Sequence, residues 1–330
     1  MRAGAGLRPH GGLLAVHAHP DDETLATGAL LAAWAAAGEP VTVVTCTRGE
    51  RGEVIDTAAH PTGLAHLEGD GRALAAHREG ELAAALAALG VRDHAFLDHV
   101  LLDQEDPERF EDSGMSWVAP GIAGPAPDSG PTAFARLPLD VAASRLAAVV
   151  RDRRPGVVAT YEAGGGYGHP DHVRAHQVTV RALEVAADPG ADVVGEAWTV
   201  PERWEVVEPA EEVRGARSAL ADAPSVRRLA AEHGLTVPAA DATLPPVAVP
   251  REELERSATV TVEVAPVLDR LLAALAAHAT QVQHVGRTAD AGPAVLGRYA
   301  LSNGVLAPVP SRARLRRVPA PGTTPVGSGR

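Results

Sequence analysis

The chain has 330 residues, a formal charge of −12 and a single cysteine. That length can bury a sizeable core, as one large α/β domain or two smaller ones. The acidic balance argues against nucleic-acid and anionic-membrane partners, the 3% aromatic content against base-stacking platforms, and the lone Cys46 against a disulfide framework or a cysteine-based zinc site.

The opening MRAGAGLRPHGG lacks an apolar segment of signal-peptide length, and no apolar run reaches the ~18–20 residues of a membrane span, so a soluble cytoplasmic protein is expected. LLAVHA (13–18) reads as a buried parallel strand. ETLATGALLAAWAAAG (23–38) has helical length and periodicity and stops at a glycine. VTVVTC (41–46) is a second strand, with Cys46 a small core residue, and 72–90 is a second helix that again ends on glycine. HAFLD (94–98) reads as a third strand. Residues 99–136, rich in Pro, Gly and Asp, read as a long loop over one edge. A helix is expected over 139–155, a strand over 157–161 and a helix over 173–187.

Alternating strands and helices predict an α/β fold: a Rossmann-like, open, mostly parallel sheet with helices on both faces. Residues 1–190 are expected to form the core that carries the site. Residues 191–310 should be the C-terminal part of the same domain and complete the pocket, with a strand at 192–200 and a helix at 264–281. The basic, Pro/Gly-rich 311–330 reads as a disordered tail. No internal repeat is visible.

The chemistry is concentrated in HAHPDDE (17–23), directly after the first strand. In open α/β sheets, ligands collect beyond the carboxyl ends of the strands. His19 and Asp22, three residues apart around a rigid Pro20, can point at one centre and leave Asp21 free beside it. A divalent cation would relieve the repulsion between the neighbouring carboxylates. Asp21, Asp22 and Glu23 would also serve as helix-capping residues, since anions favour a helix N-terminus. A second strand end, YEAGGGYGHPDH (161–172), repeats His-Pro-Asp, and capping does not explain the repeat. Two His and one carboxylate with an open position is a catalytic-metal pattern. Zinc and ferrous iron both accept it. His17 shares the side-chain direction of His19, in support of the centre or as a plain buried histidine.

HPDDE near the start and HPDH downstream resemble the PIG-L/LmbE-like zinc-dependent N-acetylglucosamine deacetylases. HAHPDDETLATGA, VTVVTCTRGERGEV, REGELAAALAALGV, DSGM and GGYGHPDH are most similar to the branch that deacetylates N-acetylglucosaminyl-inositol in mycothiol biosynthesis. The resemblance implies one Zn2+ on His19, Asp22 and His172, and Asp21 as general base. It implies His169 as electrostatic partner or general acid and Tyr167 beside the substrate carbonyl. Glu50, Arg78, Asp112 and Met115 would bind a small amino-sugar substrate. Asp112 would otherwise be a turn residue, Arg78 a solvated helix residue and Met115 plain packing. The chain departs from its relatives at PERFE (107–111), where they tend to carry arginine and where Glu111 would alter the pocket rim, in 101–109 and in 200–260.

The alternatives are a mycothiol S-conjugate amidase, a deacetylase of another N-acetylglucosamine compound, and a non-catalytic metal-binding relative. The amidases tend to carry a lysine after HPDDES, where this chain reads TLATG. A nucleotide-binding module is excluded, because no GxGxxG or GK[ST] follows the first strand. Oligomeric state is not legible. His60, His66, His94, His99, His233, His278 and His284 receive no role.

Overall fold

Beyond the carboxyl end of the first long strand, the chain turns away to one side of the sheet and later returns to the other, which creates the crevice that holds the site. The computed structural model describes residues 5–100, 109–119 and 122–318. In chain order the elements are β1 (Ala5–Gly6), β2 (Leu13–His17), α1 (Asp22–Ala36), β3 (Val41–Thr45), α2 (Gly71–Leu89) and β4 (Asp93–Phe96). A hairpin of β5 (Met115–Ala119) and β6 (Ile122–Pro125) follows, then α3 (Leu139–Arg153), β7 (Val157–Tyr161), the kinked turn α4 (Gly165–Gly168) and α5 (Pro170–Ala187). The second part holds β8 (Glu202–Val206), β9 (Glu208–Pro209), α6 (Ala210–Asp222), α7 (Pro224–His233), β10 (Ala248–Val249), α8 (Arg251–Glu255) and β11 (Ala258–Glu263). It ends with α9 (Leu268–Ala277), β12 (Gln283–Arg287), β13 (Val295–Ala300), β14 (Leu306–Pro310) and β15 (Arg312–Val318).

Eight strands form one sheet in the order β1-β11-β15-β8-β7-β2-β3-β4. From β8 through β7, β2 and β3 to β4 every pairing is parallel, and β15 runs antiparallel to both its neighbours. The expected open, mostly parallel α/β sheet is therefore present. Side chains of β2 alternate between two cores, as the pleat requires. Leu13 and Ala15 join Trp34, Leu82, Leu271 and Trp204 under α1, α2 and α9, while Leu14 and Val16 join Leu146, Val150 and Val178 under α3 and α5. Trp34 and Trp204 are fully buried and meet edge to face at 5.6 Å. Each such ring removes ~150–250 Å² from water and anchors its face. Gly28 lets α9 approach α1, since a Cβ there would come within 2.7 Å of Leu271.

Local signals set the helix ends. The Asp70 side chain accepts from Ala73 N at 3.1 Å to cap α2, and Gly90, at φ 87°, ends it. At α5, Pro170 occupies the first turn and His169 Nδ1 accepts from Asp171 N at 3.1 Å.

Several expectations need correction. The helix expected from 173 begins at Pro170, because the HPDH segment is its first turn. The strand expected at 192–200 lies at Glu202–Val206, and 99–136 contains the β5–β6 hairpin. The helix expected over 264–281 is confined to Leu268–Ala277 after a short 3-10 turn. The expected disordered tail is partly a strand. Arg312–Val318 inserts between β11 and β8, where Arg316 meets Glu205 and Glu253 and Leu315 joins the core. Residues 319–330, most of the divergent 101–109 segment and the first two residues of PERFE lie outside the described residues. Among the described residues, no helix is long and apolar enough to cross a membrane.

Candidate metal centre and active site

Strand order reverses between β2 and β7, and both conspicuous motifs sit at that switch point. Asp22 Oδ2 lies 3.1 Å from His19 Nδ1 and 3.2 Å from His172 Nε2. Neighbouring donors around a tetrahedral zinc ion stand about 3.3 Å apart. The rings of His19, His169 and His172 converge, with centroids 4.7, 5.3 and 4.9 Å apart. All three are buried.

Two observations test whether a cation fits. His172 Nε2 is buried without a hydrogen-bond partner, although it faces Asp22. Burial alone would make the His19 imidazole less basic. Asp112, Asp171 and Asp22 override it and hold His19 well above its ordinary pKa. The centre therefore favours a positive charge at the position where the carboxylates converge. His19 also groups with His169 and His172, and with Asp112 and Asp171, at ligating distance.

Asp171 was not singled out in the sequence as a site residue. Its Oδ2 accepts from Ser113 N at 2.8 Å and lies 3.2 Å from His19 Nε2, while its Oδ1 accepts from Ser113 Oγ. It thus orients His19 by the ring nitrogen that faces away from Asp22. A carboxylate in this position fixes a ligating imidazole's tautomer and raises its basicity. The only sequence signal for it was the repeated His-Pro-Asp.

Asp21 stands beside this group, not in it. Its backbone sits at φ 105°, a conformation that costs a non-glycine residue about 1–3 kcal/mol. Its carboxylate lies 3.2 Å from Arg78 Nη2. Burial pushes its pKa up to about 6, opposed by Arg78. Burial would raise the neighbouring Asp22 too, but His172 and His19 hold it well below the ordinary range. Adjacent aspartates are therefore driven apart, one fully ionised and one poised to exchange a proton.

His169 is held down to about 2 by burial and by His19, so its ring is neutral. Its Nδ1 accepts from Asp171 N, which leaves the proton on Nε2. Burial raises the Tyr167 phenol, and its ring lies 5.1 Å from His172 and 6.0 Å from His169. A Cβ on Gly165, at φ 67°, would come within 2.9 Å of His172 Cβ, so the GGG run lets this loop close on the centre.

Asp112 and Glu50 flank the group. Glu50 Oε1 accepts from Asp112 N at 3.0 Å, and its Oε2 is buried without a partner. Asp112 accepts from Gly114 N at 2.8 Å, and His19 overrides burial to hold it low. Arg78 is buried, its Nη1 donating to Gly49 O at 2.6 Å and its Nη2 to Pro20 O. It braces the turn that carries Asp21. Met115 is half-buried at the start of β5. Glu111 is exposed and accepts from Thr132 Oγ1. His17 Nε2 meets Thr27 Oγ1 at 2.8 Å, and its ring packs edge-on against Tyr161. His278, given no role in the sequence, is fully buried against Glu23 at 2.8 Å.

An open α/β sheet whose switch point holds converging imidazoles, a shared carboxylate and a second carboxylate of raised pKa is the arrangement of a metal-dependent hydrolase. The chain belongs to the PIG-L family, whose model, described as GlcNAc-PI de-N-acetylase, matches residues 14–183. A 1D-myo-inositol 2-acetamido-2-deoxy-alpha-D-glucopyranoside deacetylase of Kineococcus radiotolerans is 46% identical over 90% of this chain and 74% of its own length. A protein of that description from Thermobifida fusca is 40% identical over 89% of this chain and 87% of its own. Among solved structures, N,N'-diacetylchitobiose deacetylase from Pyrococcus horikoshii aligns over 59% of each chain at 18% identity and a TM-score of 0.42.

Proposed function

We propose that this chain hydrolyses the acetamide of 1D-myo-inositol 2-acetamido-2-deoxy-alpha-D-glucopyranoside to the free amine and acetate, a step of mycothiol biosynthesis, and that its metal is zinc. The observation that carries the chemistry is Asp22 Oδ2 within 3.2 Å of nitrogens on both His19 and His172, with the Asp21 carboxylate left outside the set. The substrate reading is supported by relatives of that description at 40–46% identity over about 90% of the chain.

His19, Asp22 and His172 would hold the ion. When bound, zinc supplies Lewis acidity that polarises a carbonyl and lets water be deprotonated near neutral pH. Asp21, poised near pH 6, accepts the proton of the attacking water. The phenol of Tyr167 and the Nε2–H of His169 face the oxygen on which charge develops, each such donor contributing on the order of 3 kcal/mol. Asp21, having taken the proton of the water, returns it to the departing amine. Glu50 Oε2, buried without a protein partner, accepts from a sugar or inositol hydroxyl, with Asp112 beside it.

The test is free-amine release by enzyme stripped of metal and given one equivalent of zinc. The inositol sugar, plain N-acetylglucosamine and a mycothiol S-conjugate are compared. Fast, zinc-dependent release from the inositol sugar alone is the expected result. Preference for the conjugate would overturn the substrate assignment and keep the chemistry. Zinc bound with no release from any of the three would overturn both.

A further inference from the structure

The positive φ of Asp21 has to be held by something, and the residues that hold it come from two distant parts of the chain. Glu23 is fully buried, and both of its carboxylate oxygens are spent. Oε2 accepts from the backbone N of Asp21 at 2.9 Å. Oε1 accepts from Thr24 Oγ1 and meets His278 Nε2 at 2.8 Å. On its other side, the Asp21 carbonyl accepts from Thr24 N at 3.0 Å and Leu25 N at 2.9 Å, so residue 21 is gripped at both its N–H and its C=O. A glutamate that reaches back to the N-cap N–H resembles half of a capping box, but here it is anchored from outside the helix.

That anchor is His278, just after α9, 255 residues away in sequence and itself fully buried. The same segment is fastened independently. Thr280 N and Oγ1 each donate to Glu81 at 2.7 Å, and Ile55 N donates to Thr280 O at 2.9 Å. The tie between α9 and its neighbours thus does not depend on the Glu23–His278 contact. A buried carboxylate–imidazole pair is a costly way to join two helices. What this pair adds is control of one backbone N–H, that of the residue whose side chain must face the substrate.

We infer that Glu23 and His278 are positioning residues that hold the backbone of Asp21 at its positive φ and so aim the base. This rests on the reading of Asp21 as the base. Neither residue touches the reacting atoms, and each acts through the peptide of residue 21. Displacement of a reacting group by about 1 Å costs on the order of a hundredfold in rate.

The experiment is steady-state kinetics on the zinc-loaded enzyme with N-acetylglucosaminyl-inositol, with zinc content measured on every variant. Glu23→Ala is expected to lower kcat about a hundredfold, with KM and zinc content unchanged. Glu23→Gln, whose amide oxygen can still accept from Asp21 N, is expected to restore most of the loss. Glu81→Gln, which loosens the same helices without reaching residue 21, is expected to lower the melting temperature and leave kcat near wild type. The decisive comparison is made in an Asp21→Asn background, where Glu23→Ala should cost nothing further because the two residues act as a unit. If Glu23→Ala does not fold, His278→Gln takes its place in both backgrounds. A loss that is equal in the two backgrounds, or that appears in KM or zinc content, overturns the positioning role and leaves the base intact. Wild-type turnover in Asp21→Asn alone overturns the base and the positioning role together.

Discussion

His19-Pro20-Asp21-Asp22 and His169-Pro170-Asp171-His172 share their first three residues and lie at neighbouring strand ends, yet their corresponding residues do different work. In the first, α1 starts at Asp22, so Asp21 becomes the N-cap and is thrown to φ 105° with its carboxylate against Arg78. In the second, α5 starts at Pro170, so His169 becomes the N-cap and Asp171 lies inside the helix, fully buried under Ser113. A shift of two residues in where the helix begins turns one aspartate toward Arg78 and the other toward the back of His19. The letters of a motif name the available chemistry, and the register against the helix assigns it.

Several substitutions would break or sharpen this contrast. The fourth positions should behave alike. Asp22→Ala and His172→Ala are each expected to abolish stoichiometric zinc binding and turnover, read by metal analysis after gel filtration. Zinc retained by either would remove that residue from the centre. The third positions should behave differently. Asp21→Asn is expected to keep zinc and lose turnover about a thousandfold, in the range of general-base catalysis. Asp171→Asn should instead weaken zinc about 10–100-fold, by chelator competition. Identical phenotypes for the two would erase the distinction. Gly49→Ala reaches only the first turn. Its Cβ would fall 2.0 Å from Arg78 Nη1, so Arg78 must move, at a cost of about 1–3 kcal/mol in denaturant unfolding.

The smallest effect lies outside both turns. Burial lowers the pKa of His94, which sits 3.1 Å from Thr45 Oγ1. The folded protein therefore favours the neutral ring, and this part of its stability is complete above about pH 6.5 and lost as pH falls below it. Metal-free His94→Gln should show a shallower fall in melting temperature between pH 7.5 and 5.5 than metal-free wild type. Equal slopes would show that His94 does not report on folding.

The half of the molecule up to α5 was legible because its signals are local. Apolar runs bounded by Gly38 and Gly90, and donors three residues apart, need no knowledge of what lies across the sheet. Asp171 was hidden because its partners, Ser113 and His19, are 58 and 152 residues away. His278 was hidden for the same reason. RARLRRV in β15 reads as a solvated tail because the acids that neutralise Arg316, at 205 and 253, are far off in sequence. Its short apolar alternation carries less signal than its charge. Arg78 was legible in the sequence as a candidate substrate-binding residue. That its Nη groups are taken by Gly49 O, Pro20 O and Asp21 was not.

The position of β15 also has a consequence for biogenesis. A strand laid between β11 and β8 is the keystone of that side of the sheet, and it is the last described strand to be synthesised. Until the ribosome has passed residue 318, β8 and β11 each present an unpaired edge, and pairing there spans long loops that close slowly. The nascent chain thus carries a nearly finished catalytic half beside an open seam. A premature stop before Arg312 would leave the residues of the metal centre in place on a molecule prone to associate through those edges.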